Sequence, residues 1–139
     1  MNDTLQIQLP ETTPAYEPGE DLLGTVTWNH TKPVKKIELH LFWYTLGTGD
    51  QDSRVVETLQ WEEVPAQGER HFEIRLPRAP YSLSSDNLSI HWALEASLKP
   101  GRHTARTELT IAPERSELKL NTLQDPPNPL LRKIQGWFG

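Results

Sequence analysis

Residues 88–98 alternate without a break. Leu88, Ile90, Trp92, Leu94, Ala96 and Leu98 fall on one side, and Ser89, His91, Ala93, Glu95 and Ser97 on the other. A period of two is the signature of a strand with one buried face, and no helix places these residues together. A second run has the same form: Ile37, Leu39, Leu41 and Trp43 oppose Glu38, His40, Phe42 and Tyr44. Two long amphipathic strands of this kind each demand a cover for their apolar face, and that demand governs the rest of the reading.

Shorter alternations fill the chain between them. Leu5, Ile7 and Leu9 stop at Pro10, and residues 21–30 carry Leu23, Val26 and Trp28 with Gly24 inside the strand. Such a glycine marks a bulge or a close approach of the backbone. Val55 to Val64 forms the return strand of a hairpin after the turn-rich stretch 47–52, and Phe72, Ile74 and Leu76 run up to Pro77. Residues 77–87 read as a long loop, 104–112 as a strand, and Leu118 to Leu120 as a last short one. The 12 prolines and 8 glycines fall mostly between these runs. No helical period appears before residue 125. Seven to eight strands, each with one apolar face, predict an all-β, immunoglobulin-like antiparallel sandwich. An open sheet would leave its apolar face wet at about 25 cal/mol per Å². Trp28, Trp43, Trp92, Leu39, Leu41, Ile90 and Leu94 are the expected core.

Residues 1–122 make this domain, and 123–139 a Pro-rich linker with a short amphipathic tail. Asn128 reads as the N-cap of a two-turn helix, with Pro129 at its first position and Gly136 past its end. Leu130, Ile134 and Trp137 fall near one face. Two turns are marginal alone, so the tail needs a surface to dock on.

Two stretches resemble the amino-terminal half of the arrestin fold. Residues Tyr16-Glu17-Pro18-Gly19-Glu20, with Gly24 and Val26, are similar to the family's opening "Y-x-P-G-E-x-x-x-G-x-V" pattern. Phe72 to Pro77, then Pro80-Tyr81-Ser82, then Ile90 to Ala96 look like its "F-x-x-x-L-P … P-x-S … I-x-Y-x-L-x-A" run. Together they cover roughly residues 5–112. Independently of the family, Pro18 presets φ and Gly19 suits the positive φ of a type II turn. Arrestins and the related trafficking and sporulation-control proteins typically carry two sandwiches, whereas one fits here. The resemblance implies a soluble scaffold or adaptor, and it carries over no phosphate-sensing residue.

Composition narrows the functional classes. A net charge of −5 argues against nucleic acid as a partner. The absence of cysteine excludes disulfides, thiolate catalysis and cysteine zinc sites, and permits a cytoplasmic address. No stretch has the length of a membrane span, and the first residues lack the basic, apolar character of a signal peptide.

The candidate sites are few. His40 and His91, with Glu38 and Glu95, offer zinc or nickel ligand types if their strands are neighbours. Surface histidines on a solvated sheet explain them more simply, so no metal and no cofactor is expected. Asp50 and Asp52 lack the remaining ligands of a calcium loop, and Ser82, Ser84 and Ser85 have no nucleophile elbow around them. No acid, base and nucleophile set emerges, and no enzyme is expected. Phe42 and Tyr44 lie on the face away from the core. With Leu130, Ile134, Trp137 and Phe138 of the tail they form the expected partner-binding set, the tail covering the ring face in cis or across a homodimer. A membrane surface ranks last as a sink for the tail, since only Arg132 and Lys133 lie beside it. The expectation is a non-catalytic, intracellular protein-interaction module of arrestin type. Its alternative is a carbohydrate-binding sandwich stacking sugars on Trp61, Phe42 and Tyr44.

Overall fold

The structure is a computed structural model and describes residues 3–47, 51–85, 87–101 and 103–120, with the side chains of 118–120 left aside. Ten strands follow in order: β1 (Thr4–Gln8), β2 (Ala15–Tyr16), β3 (Asp21–Asn29), β4 (Val34–Gly47), β5 (Ser53–Val64), β6 (Gln67–Arg75), β7 (Leu83–Ser85), β8 (Leu88–Lys99), β9 (His103–Ile111) and β10 (Leu118–Leu120). The eight strands expected are all present. The two additions, β2 and β7, are short and lie in segments read as loops. The one helical turn among the described residues is a 3₁₀ turn at Pro113–Arg115. None of the described helices is long and apolar enough to cross a membrane.

The strands form two sheets. β1, β3 and β6 make an antiparallel three-stranded sheet in that order. The other sheet runs β10-β7-β8-β4-β5, with β9 continuing alongside β8 and β2 alongside β9. Most pairs are antiparallel, while β2 with β9 and β10 with β7 are parallel. The two long alternating runs are direct neighbours: β4 and β8 pair from Lys36↔Lys99 to Gly47↔Leu88.

The apolar faces meet between the sheets. Leu22, Val26 and Trp28 of β3 and Phe72 and Ile74 of β6 join Ile37, Leu39, Leu41 and Trp43 of β4 and Ile90, Trp92 and Leu94 of β8 in one core. All seven expected core residues are buried. A buried indole still needs a partner for its N–H. Trp92 Nε1 donates to the Pro80 carbonyl at 2.8 Å, and Trp28 Nε1 to that of Pro65, also at 2.8 Å.

Two local expectations divide. Glu17 to Glu20 is the turn foreseen, with Gly19 at φ +81° and the Glu20 N–H donating to the Glu17 carbonyl at 3.1 Å. Gly24, by contrast, makes no bulge, because the β3–β6 register runs through Gly24↔Phe72 without a shift. It is a close approach instead. A Cβ there would lie 2.5 Å from Phe72 Cζ and 2.8 Å from Leu9 Cδ2, so the ring occupies the space a side chain would take. The bulge lies in the other sheet, where the β4–β5 register slips between Leu41 and Phe42 and leaves Val56 unpaired.

Candidate functional site: the outer face of the second sheet

Phe42 and Tyr44 project from β4 to the face away from the core. They are half-buried rather than bare. The reason lies on β8. Opposite Phe42 the register places Ala93, and opposite Ala93, on β9, it places Glu108. A methyl group is too small to separate the flanking strands' side chains, so those of β9 reach over it to β4, and Ala93 is fully buried beneath them.

The covering group is Arg106. Its guanidinium carbon lies 5.1 Å from the Phe42 ring centre and 4.8 Å from that of Tyr44, within cation–π range of both. Arg106 Nε donates to Glu108 Oε1 at 3.1 Å, and the Tyr44 hydroxyl donates to the same carboxylate. On its other side Tyr44 stacks on His91, ring centres 5.1 Å apart. Burial, with the Glu108 carboxylate beside it, raises the Tyr44 phenol above its ordinary pKa. The face is a closed set of mutual contacts, with its charges already paired. Leu130, Ile134, Trp137 and Phe138, expected to cover these rings, lie outside the described residues.

The histidine and glutamate set proposed from strand pairing does not converge. β4 and β8 are neighbours, but His40 faces Glu95 while His91 faces Tyr44. Four residues along β4 separate the two positions, about 13 Å at the strand rise. His40 Nε2 lies 3.3 Å from Glu38 Oε2, and its Nδ1 3.0 Å from Thr58 Oγ1. Glu38 is shared with Lys36 Nζ at 3.1 Å and Lys99 Nζ at 3.9 Å. The hydrogen bond from Lys36 is the main cause that lowers its pKa. Ser82 is buried and structural: its Oγ accepts from the Ile111 N–H at 3.0 Å. Asp52 serves its own hairpin, accepting from the Ser53 N–H at 2.8 Å, while Asp50 lies outside the described residues. Trp61, the third ring considered for stacking sugars, packs partly buried against the core.

Two features escaped the sequence reading. One is the free edge of β5, which ends its sheet among the described residues and exposes Val55 (54%) and Val56 (39%) at the bulge. Adjacent valines in an alternating strand hint at such a slip. The other is a meeting of Asp3, His30 and His103, one from each of three distant segments. No spacing in the sequence announces it.

With the geometry in place, comparison with solved structures finds a likeness to the sporulation control protein Spo0M from Bacillus subtilis. The TM-score is 0.59 and the identity 15%, over 79% of this chain and 49% of that one. The fold is arrestin-like. At this identity the likeness is one of fold, and the chain spans about half the length of Spo0M. A weaker likeness to BslA, a bacterial hydrophobin, has a TM-score of 0.32 at 13% identity, over 88% of this chain and 98% of that one. That score is too low to argue a shared topology. No protein-family model matches the chain, and no curated protein matches it in sequence.

Proposed function

We propose that this chain is a non-catalytic regulatory or adaptor module of arrestin type, whose protein partner adds an extended strand to the free edge of β5. The observation that carries the first half is the fold shared with Spo0M over 79% of the chain. The second half rests on β5 itself. It is 12 residues long, pairs with β4 on one side, and presents Val55 and Val56 at its bulge. An unpaired edge of this length offers a row of backbone donors and acceptors, which is what β-augmentation uses. Glu57, Glu62 and Glu63 are exposed along the same strand, so the partner segment that fits is apolar at one end and basic at the other. A cytoplasmic setting agrees with the cysteine-free sequence.

The test compares the native chain with a Val55→Lys/Val56→Lys variant as bait in its own cells, followed by hydrogen exchange on the purified complex. The proposal expects a protein captured by the native chain and lost by the variant, with slowed exchange confined to β5 amides. Equal capture by both, or a glycan as the captured material, refutes it. A homodimer with β5 protected and no other partner would move the reading to self-association.

A further inference from the structure

Asp3 precedes β1, His30 follows β3, and His103 opens β9, so the chain brings three potential ligands to one end of the sandwich from both sheets. We propose that these residues form a binding site for a divalent transition cation of the zinc class, held by Asp3 Oδ2, His30 Nε2 and His103 Nε2. The proposal departs from the expectation, drawn from sequence, that the chain binds no metal.

The spacing is the first ground. Asp3 Oδ2 lies 3.5 Å from Nε2 of His30 and 3.5 Å from Nε2 of His103. A charge-assisted hydrogen bond would close to about 2.7–2.9 Å. Ligands around a tetrahedral zinc ion, each about 2.0–2.1 Å from the metal, stand about 3.3–3.4 Å from one another. All three ligand atoms lie within 4.8 Å, and the two rings meet edge to face with centres 5.7 Å apart. The two carboxylate–imidazole distances are too wide for charge-assisted hydrogen bonds and close to the edge length of a coordination tetrahedron.

The second ground is what holds the ligands. Asp3 Oδ1 accepts the Thr31 N–H at 3.0 Å, leaving Oδ2 to face the imidazoles. The Lys32 N–H donates to His30 Nδ1 at 3.2 Å, and the Lys32 carbonyl lies 3.0 Å from the same nitrogen, so the backbone of residue 32 holds the ring in either tautomer. A cation at Nε2 selects the tautomer in which Nδ1 is protonated and donates to that carbonyl, over the one in which Nδ1 accepts the Lys32 N–H. A ligating histidine is commonly oriented in this way, through its other nitrogen. One short segment, residues 30–32, thus supplies a ligand and the backbone partners that orient it and Asp3.

The third ground is access. His30 is 8% exposed at its side chain, Asp3 22% and His103 40%, so the site has a buried base and an open rim. Three protein ligands leave a fourth position for water or for a donor from another molecule. Two imidazoles select zinc, nickel or copper over magnesium and calcium. The ion would tie β1 and β3 of one sheet to β9 of the other, and its binding energy would then add to the stability of the fold.

The probe is zinc chloride, titrated by calorimetry into the metal-free full chain, purified without a histidine tag, near neutral pH. One ion per chain is expected, and saturating zinc should raise Tm by several degrees. Asp3→Asn and His103→Ala, at the exposed side of the site, should each weaken binding at least about tenfold. His40→Ala and His91→Ala should bind like the native chain. His30→Gln should lose binding too; because that ring is buried, its result counts when far-UV circular dichroism matches the native chain. The proposal fails if no saturable binding appears, if His103→Ala binds as tightly as the native chain, or if Asp3→Asn lowers Tm equally with and without zinc. The last outcome would mean a cluster of ion pairs and nothing more.

Discussion

The Tyr44 hydroxyl lies 3.0 and 3.1 Å from the two carboxylate oxygens of Glu108, a contact that runs from β4 to β9 over the top of β8. It exists because residue 93, between them, is alanine. Arg106 then closes over both Phe42 and Tyr44 and pairs with the same carboxylate. Removing the guanidinium by Arg106→Ala should cost about 1 kcal/mol, the scale of cation–π contacts that remain partly exposed. Urea unfolding measures it. A loss of nothing would show that Arg106 only rests on the rings.

Trp92 is fully buried at the centre of β8, with its indole N–H bonded to the Pro80 carbonyl. Trp92→Ala removes a large ring and leaves that carbonyl unpaired, at a cost of about 3–5 kcal/mol. Chemical denaturation should place the variant near the limit of stability for a domain this size.

Gly24→Ala should destabilise although the residue lies in a regular strand. The new methyl would meet Phe72 at 2.5 Å, and overpacking of this kind costs about 1–3 kcal/mol. Combined with Phe72→Leu, the loss should be smaller than the sum of the single losses, because the two groups compete for one space. Additive losses in thermal melts would locate the strain elsewhere.

Tyr16 is buried, and its hydroxyl has no hydrogen-bond partner among the described residues. Tyr16→Phe should therefore leave stability unchanged or raise it by up to about 1 kcal/mol at neutral pH. Burial, followed by the charges of Glu11 and Glu20, raises the Tyr16 pKa above its usual value of 10.0, and Tyr44 is raised as well. The fold thus prefers the neutral phenol. As pH climbs past about 10, the unfolded chain loses these protons before the folded one does, and stability falls. Tm measured from neutral to alkaline pH should decline there, and less steeply in Tyr16→Phe.

Much of this architecture was legible in period two. The β4 and β8 alternations state their own inner faces, and Pro18-Gly19 names its turn because positive φ is a local cost that the sequence must meet locally. Gly24 was legible as special but not in kind, since whether a glycine admits a bulge or a ring depends on what stands opposite it, here Phe72. β7 hid among prolines and serines because it is three residues long and one of its two partners, β10, is remote in sequence. The histidines show the limit most clearly. His40 and His91 drew notice through their carboxylate neighbours, yet register holds them apart. His30 and His103 sit at strand ends, and only the closure of both sheets joins them to Asp3. Arg106 and Glu108 were visible as polar residues two apart, but their reach depends on the size of Ala93 in another strand.

The pairing of β4 with β8 also sets an order of events. β5 begins at Ser53, soon after β4 ends at Gly47, so that hairpin closes at small entropic cost. The β4–β8 ladder joins residues 34–47 to residues 88–99, and the chain must enclose β5, β6 and β7 before a single bond of it forms. A topology dominated by such distant pairings folds on the millisecond to second scale. Substitutions at the centre of β8 are then expected to speed unfolding more than they slow folding, while those in the β4–β5 hairpin act on the folding rate, a division that stopped-flow chevrons resolve. Until β8 arrives, the apolar side of β4 waits in water, and a newly made chain is most vulnerable to association through that strand during this interval.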